Sequence, residues 1–362
     1  MTAPATIRFG KFFLPGPTDV HPDVLAAMLR PMIGHRSSGM EQLLQGVAPR
    51  LAALCRTSRP VLIGTTSATG FMEMAARNGV RRRALSLVNG AFSERFARIV
   101  SACGKECIRL DVPLGSAIEP DMLRDALRRT PVDAVTCVHS ETSTGVLQDV
   151  EGYAAVVREF DDVLLLVDAV TSMAGSPVET DRWALDFVFT GSQKALALPP
   201  GLALGVASDR MVARAKTLEN RGAYFDLVSF VDATAKFQPT NTPAISLLYA
   251  LETQLERIDA EGGIEARWRR HDEMRQAVEA WSESSGLRFV PRLGRRSWTV
   301  SCLKVPEGRR AKDIVGAAKA EGWTIGSGYG ALKESTIRIG HMGDHDVSAL
   351  EELLALITRA LQ

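Results

Sequence analysis

Short apolar runs alternate with segments of helical periodicity through the first two thirds of this 362-residue chain. The apolar runs lie at residues 61–63, 84–88, 107–112, 134–138, 163–167 and 187–189, and the helix-patterned segments at 22–29, 40–57, 71–78, 93–101, 121–129 and 150–160. A short unbroken apolar run is typical of a strand that is buried on both faces. Strands that alternate with helices predict an α/β fold, with a mainly parallel sheet sandwiched by helices.

The pattern changes after about residue 250. Long helical segments at 244–261 and 265–284 are followed by helices at 311–320 and 346–361 and by strands at 298–302, 323–325 and 336–339. This mixture predicts a smaller C-terminal α+β domain. We therefore expect an extended segment at 1–20 that packs on the small domain, a large domain at 21–255 that carries the site, and a small domain at 256–362.

Asp168 and Lys194 are the most informative pair of polar residues. Asp168 directly follows the apolar run 163–167, and Lys194 follows the next run and a turn of small residues. In a parallel sheet, ligands bind beyond the carboxyl ends of the strands. A lysine that forms a Schiff base and a carboxylate that pairs with a pyridinium nitrogen are what pyridoxal phosphate chemistry needs. Strand-end aspartates and surface lysines also occur in α/β proteins without this cofactor.

Other strand ends in the same part of the chain add weaker signals. Ser67-Ala68-Thr69-Gly70 stands between a strand and a helix, where backbone N–H groups can seat a phosphate. Phe92 follows another strand and can stack on a flat ring, Thr142 lies in a hydroxyl-rich segment, and Gln193 precedes the lysine. An ordinary N-cap, a core phenylalanine and a capping turn are the alternatives for these segments. Their consistent order along the chain favours the cofactor site.

Composition excludes several classes of function. The 43 basic and 42 acidic residues leave a net charge of +1, so no electrostatic case exists for a nucleic acid or membrane partner. The five cysteines are odd in number and lack a CxxC pair, which favours reduced thiols. No secretion signal or 18-residue apolar run is present, so we expect a cytoplasmic protein. The residues His341 to Asp346 are interpreted as strand-end and cap residues, and we expect no metal.

Motifs from both ends of the chain identify a family resemblance. They are LPGPTDVHP (14–22), GHRS (34–37), SATG (67–70), VNGAF (88–92), ETSTGVL (141–147), VDAVTS (167–172), GSQKAL (191–196), PPG (199–201), TPAI (242–245) and IRIGHMG (337–343). The chain resembles the class V aminotransferases of the fold-type I pyridoxal phosphate enzymes, closest to the alanine/serine–glyoxylate (serine–pyruvate) branch. The resemblance implies an enzyme with pyridoxal 5'-phosphate as cofactor, an amino acid and a 2-oxo acid as substrates, and a homodimer with active sites at the interface.

The resemblance also implies a role for each matching residue. Lys194 and Asp168 are catalytic and hold the cofactor, and Arg338 clamps the substrate carboxylate, with Gly16 and Arg36 also at the substrate. The other residues implied at the cofactor are Ser67, Ala68, Thr69, Phe92, Thr142, Gln193 and Thr242, the last reaching the phosphate of the neighbouring subunit.

Three departures from the family pattern bear on these expectations. Ala68 replaces the usual glycine of the phosphate turn, Ser37-Ser38-Gly39-Met40 replaces a loop that lies near the substrate in the family, and the segment before Thr242 lacks the Tyr or His often found there.

The predicted reaction is ping-pong transamination from alanine or serine to glyoxylate or pyruvate. An aspartate or 2-aminoethylphosphonate donor is the main alternative and needs a second cation, which Arg36 could supply. A lyase of the desulfurase or kynureninase type is a further alternative. A desulfurase needs a mobile cysteine, whereas Cys302 is predicted to lie in a strand.

Overall fold

The computed structural model describes residues 9–362. Its strands are β1 (Phe12–Phe13), β2 (Leu62–Thr65), β3 (Arg83–Val88), β4 (Glu106–Asp111), β5 (Ala134–Val138), β6 (Ser140–Glu141), β7 (Val146–Leu147), β8 (Leu164–Asp168), β9 (Phe187–Gly191), β10 (Leu202–Ala207), β11 (Arg288–Phe289), β12 (Ser301–Lys304), β13 (Thr324–Ser327) and β14 (Thr336–Ile339). Its α-helices are α1 (Pro22–Ala27), α2 (Ser38–Leu54), α3 (Ala68–Gly79), α4 (Ala91–Ala102), α5 (Pro120–Arg129), α6 (Val150–Val157), α7 (Asp209–Lys216), α8 (Leu227–Thr234), α9 (Ile245–Ala260), α10 (Ile264–Ser285), α11 (Ala311–Ala320) and α12 (Val347–Leu361).

The large sheet confirms the predicted α/β fold. Seven strands lie in the order β2-β10-β9-β8-β5-β3-β4, and all are parallel except β10, which is antiparallel to both β2 and β9. Every residue of β5, β8, β9 and β10 is buried. Alternate side chains of β8 enter two different hydrophobic clusters, one formed with α3, α4, α7 and α8 and the other with α2, α5, α6 and α9. Helices therefore cover both faces of this sheet.

A second sheet is built from the C-terminal part of the chain and one N-terminal strand. Its order is β1-β13-β14-β12-β11, with β1 parallel to β13 and the remaining pairs antiparallel. One face packs on α10, α11 and α12 around Phe13, Trp323 and Leu353. The first eight residues of the predicted N-terminal segment lie outside the described residues, and Phe12 and Phe13 are the part that enters this sheet.

Several predicted elements differ from the structure. The strand predicted at 298–302 is wrong in its position, because only Ser301–Lys304 pairs with β14, while residues 298–299 form a bend and Val300 packs in the hydrophobic cluster that contains Leu165 and Val167 of β8. Strand β10 and helices α7 and α8 were not predicted. Helix α3 begins at Ala68, three residues before the predicted start.

The residues interpreted as strand-end and cap residues have those contacts. Asp346 caps α12 and accepts a hydrogen bond from the N–H of Ala349 at 2.8 Å. His341 is paired with the Ser301 hydroxyl, and His345 with the carbonyl oxygen of Phe12. None of the helices within residues 9–362 has the combination of length and apolar character needed to cross a bilayer.

Candidate active site

A cavity lies beyond the carboxyl ends of β5, β8 and β9. The start of α3, the first turn of α4 and the turn after β9 complete its walls. It brings together most of the site residues predicted from the sequence: Ser67, Ala68, Thr69, Phe92, Thr142, Asp168, Gln193 and Lys194.

The N-terminus of α3 forms one end of the cavity. Ser67 precedes the helix in an extended conformation, and its side chain caps no N–H group within residues 9–362. The first amide groups of α3 are left without that acceptor, so an anion can accept from them and gain from the helix dipole. Ala68 is the first helical residue and is not among the positions with positive φ. Alanine therefore replaces the usual glycine without backbone strain.

Asp168 is the last residue of β8 and lies at the floor of the cavity. Its side chain is 2 % exposed, and its Oδ1 accepts a hydrogen bond from the N–H of Val170 at 2.8 Å. Burial and, to a smaller extent, the charge of Glu141 raise the pKa of this carboxyl to about 7, against the opposing effect of the Val170 N–H. A cationic nitrogen bound next to Asp168 would stabilise the carboxylate.

Lys194 is the buried amine of the cavity. Its Nζ donates a hydrogen bond to the carbonyl oxygen of Pro15 and lies 5.8 Å from the centre of the Phe92 ring. Burial and then the positive charge of Arg338 lower the pKa of the amine to about 8, against the opposing effect of Asp168. A buried amine with a lowered pKa is a better nucleophile near neutral pH than an exposed lysine.

The turn that carries Lys194 is held at several points. The Ser192 hydroxyl donates to the carbonyl oxygen of Pro199 at 2.8 Å, and the N–H of Ala197 donates to the carbonyl oxygen of Lys194 at 2.8 Å. The N–H of Thr18 donates to the carbonyl oxygen of Gln193 at 3.0 Å. The N-terminal segment and the Pro199-Pro200-Gly201 turn thus pack on opposite sides of the lysine turn.

Glu141 fixes the start of α4, which carries Phe92. This fully buried carboxylate accepts from the N–H groups of Phe92, Ser93 and Ser143 and from the hydroxyls of Ser93 and Ser143. It therefore satisfies the first N–H groups of α4 from outside the helix. From the sequence, Glu141 was a candidate acid/base group that Lys194 makes unnecessary, and its role in holding α4 was not predicted.

Arg338 lies on β14 of the second sheet and contacts Thr142, which lines the cavity. Its Nε donates to the carbonyl oxygen of Ser327 at 2.9 Å and its Nη1 to that of Thr142 at 3.2 Å. Burial lowers the pKa of the guanidinium. These two contacts orient the group and leave Nη2 for a substrate carboxylate, which a planar fork of donors recognises well.

Gly16 is placed where a side chain would not fit. Its φ is +123°, and a Cβ atom there would lie 2.5 Å from Nζ of Lys194. The absence of a side chain at this position leaves room beside the reactive amine.

Four predicted site residues do not line the cavity: Gly16 and Arg338 lie next to the lining residues Lys194 and Thr142, whereas Arg36 and Thr242 do not. Arg36 and Thr242 are exposed, and neither is among the described residues that line it. The second cation required by the dicarboxylate alternative is therefore not supplied by Arg36 within one chain.

Arg95, Val170 and Tyr329 are site residues that were not predicted from the sequence. Arg95 and Val170 line the cavity, with Cζ of Arg95 5.0 Å from the Phe92 ring centre, and the Tyr329 ring lies next to the cavity, 5.9 Å from that of Phe92. The spacing of Arg95 three residues after Phe92 on a helix was a usable signal. Tyr329 could not be located without the packing of the two sheets.

This donor set fits pyridoxal phosphate. Ser67 leaves the α3 N-terminus available for a phosphate, and Asp168 is an acid whose pKa is raised mainly by burial. Phe92 and Val170 can enclose a flat ring, and Lys194 supplies the amine. The phosphate of the cofactor matches the α3 N-terminus, its pyridine nitrogen matches Asp168, and its aldehyde matches Lys194.

Comparison with known proteins agrees with this geometry. Residues 89–335 match the family described as aminotransferase class V. The chain is 36% identical to an uncharacterized aminotransferase of Methanocaldococcus jannaschii, over 96% of this chain and 92% of that one. It is 31% identical to the L-aspartate–glyoxylate aminotransferase of Paracoccus denitrificans, over 91% and 86% of the two chains. Among solved structures, an alanine–glyoxylate aminotransferase of Nostoc sp. superimposes with a TM-score of 0.93 at 27% identity, covering 100% and 98% of the two chains.

Proposed function

The chain belongs to the class V aminotransferases, which use pyridoxal phosphate, and we propose that it moves the amino group of alanine or serine to glyoxylate or pyruvate. The observation that carries the choice of small substrates is the crowding around Lys194. A Cβ atom at Gly16 would lie 2.5 Å from Nζ of Lys194, so the backbone passes close to the amine, and Tyr329 packs over Arg338 with its ring centre 5.6 Å from Cζ. The Nostoc structure supports an alanine donor.

Each residue of the site has a separate role in the proposed amino transfer. When bound, the cofactor supplies an aldehyde carbon that exchanges amines and a ring that takes up an electron pair. Asp168 keeps the ring nitrogen protonated, and the α3 N-terminus binds the phosphate. Arg338 holds the substrate carboxylate, so that the α-hydrogen points toward Lys194. The Lys194 amine, once it is free, accepts that proton and returns it at the neighbouring carbon.

An aspartate donor is the second candidate, because the Paracoccus relative is named for it. In that case the second carboxylate would be bound by a cation from outside this chain's cavity, such as the exposed Arg36 of a partner subunit. A 2-aminoethylphosphonate donor makes the same demand. The desulfurase alternative is not favoured, because Cys302 is buried and burial raises its thiol pKa to about 11.

The test is a set of half-reactions on the purified holoenzyme. Alanine, serine, aspartate and 2-aminoethylphosphonate are added singly, and the visible absorbance of the lysine-bound cofactor is followed. We expect alanine or serine to remove the band most efficiently and glyoxylate or pyruvate to restore it. Conversion by aspartate or the phosphonate alone would support the alternatives, and release of ammonia or sulfide would support a lyase.

The assembly and the location of the protein are also proposed. We propose a homodimer in which Thr242 reaches the partner's phosphate, supported by the exposure of Thr242 and by a neighbouring cavity of about 530 Å³ lined mainly by apolar side chains of α2, β2 and α8. We also propose a cytoplasmic location, on the basis of the balanced charge and the free cysteines.

A further inference from the structure

Tyr329 joins the candidate site to a part of the molecule with no assigned role. It lies in the turn after β13, and 42% of the residue is exposed. Its ring contacts two residues of the site, with centroid distances of 5.9 Å to the ring of Phe92 and 5.6 Å to Cζ of Arg338. The ring therefore covers one side of the carboxylate clamp.

A second cavity, of about 310 Å³, begins at Tyr329. Its walls come from the start of α4, the edge strand β4 and the turn that carries Tyr329. Gly90, Ala91, Ser143 and Thr144 line it next to the site, and Leu114 lines it at the surface. The Tyr329 ring thus borders both this cavity and the clamp.

The charged residues that line the second cavity limit which donor side chains it could bind. Arg109 pairs with Glu94 at 2.5 Å and with Asp111 at 2.6 Å, so two carboxylates surround one cation. Both carboxylates pair with the Arg109 guanidinium, so these three side chains together carry one net negative charge. Apart from these residues the lining is mostly small or apolar. An uncharged chain suits this space, and a carboxylate would be repelled.

We propose that Tyr329 determines the size of the amino donor. Its ring contacts both Phe92 and Arg338 and borders the second cavity, which is the space that a longer uncharged side chain would enter if the ring were removed. This inference rests on the proposed function, since it assumes that donors bind through Arg338.

The experiment compares kcat/KM for a series of donors of increasing length. Alanine, 2-aminobutyrate, norvaline, norleucine and glutamate are assayed with the wild-type holoenzyme and with Tyr329→Ala, Tyr329→Leu and Tyr329→Phe. We expect the ratio of norleucine to alanine to rise by at least about tenfold in Tyr329→Ala, because each accommodated methylene contributes a large factor. The ratio for Tyr329→Leu should lie between those of the wild type and Tyr329→Ala, and Tyr329→Phe should keep the wild-type length preference. The kcat/KM for glutamate should not rise in these variants.

Two further variants distinguish the effect of the Tyr329 ring from that of a general enlargement of the second cavity. Leu114→Ala enlarges the same cavity at its surface end and should leave the donor preference unchanged. Ala331→Phe, added to Tyr329→Ala, refills the space and should restore the preference for alanine. Cofactor absorbance and thermal midpoint show that each variant is folded and loaded.

An unchanged length preference in Tyr329→Ala, or equal use of norleucine and alanine by the wild-type enzyme, would overturn the inference. Failure of the proposed function has a different signature, namely a wild-type enzyme that converts neither alanine nor serine.

Discussion

At the scale of single residues, Asp168 and Lys194 face one cavity with pKa values displaced in opposite directions. Burial raises the pKa of the carboxyl to about 7 and lowers that of the amine to about 8. Without cofactor, each charged form is disfavoured in the folded protein. Binding of a cationic ring nitrogen beside Asp168 and covalent use of the amine remove both penalties, so cofactor binding and folding stability are coupled.

The lowered pKa of Lys194 predicts how cofactor loading depends on pH. The neutral amine attacks the aldehyde, and its fraction rises as pH increases toward about 8 and levels off above it. We expect the rate of reconstitution of cofactor-free protein to rise with pH and to reach a plateau above about pH 8, measured as the growth of visible absorbance. Lys194→Ala is the control and should give no such band. A rate that still rises steeply between pH 9 and 10 would contradict the lowered pKa.

Gly16→Ala tests the space beside the amine. The added carbon would lie 2.5 Å from Nζ of Lys194, at a φ of +123° that alanine rarely adopts. We expect activity to fall by at least about tenfold, since a small misplacement of a reacting group has an effect of that order or larger. Gly104→Ala is a matched control, because it also has a positive φ but no atom lies near its Cβ position. Equal activities of the two variants would show that the space at Gly16 is not limiting.

At the scale of elements, Glu141 ties helix α4 to the segment after β5. Removal of its carboxylate in Glu141→Ala leaves buried N–H groups of Phe92 and Ser93 without an acceptor. We expect a loss of about 3 kcal/mol in the free energy of unfolding, measured with urea. Asp346→Ala removes the exposed cap of α12 and should cost only about 1 kcal/mol. Similar losses of unfolding free energy in the two variants would mean that the Glu141 contacts stabilise the protein no more than an ordinary helix cap does.

The elements also show what a sequence pattern can and cannot predict. Strands β5, β8 and β9 were predictable because they are unbroken apolar runs that end in polar residues. Strand β10 was not, since Ala203, Gly205 and Ala207 weaken the apolar signal of the run. The phosphate turn, Asp168 and Lys194 follow from strand ends, whereas the Pro15 carbonyl and Tyr329 reach the site through contacts between segments far apart in the chain. Local periodicity holds no information on such contacts.

At the scale of the whole molecule, the proposed contact of the exposed Thr242 with a partner's phosphate would make cofactor binding a property of the assembly. If two chains share each site, Thr242→Ala should weaken cofactor binding several-fold, because one hydrogen bond to a charged phosphate is lost. The measurement is the dissociation constant by titration of the cofactor-free protein, with the mass in solution determined by light scattering. Thr217→Ala, at the end of α7, is a control of the same residue type. A monomer with full activity would exclude the shared site.

The position of β1 has a consequence for how the protein is made. Phe12 pairs with Thr324, and the residues just after β1 contact the Lys194 amine. The beginning of the chain therefore leaves the ribosome long before the strand that it joins has been synthesised. Because domains fold as they emerge, the large sheet can form while its lysine still lacks these neighbours. The pocket is consequently completed only after β13 has been synthesised, and a nascent chain that lacks the second sheet carries Lys194 without its final surroundings.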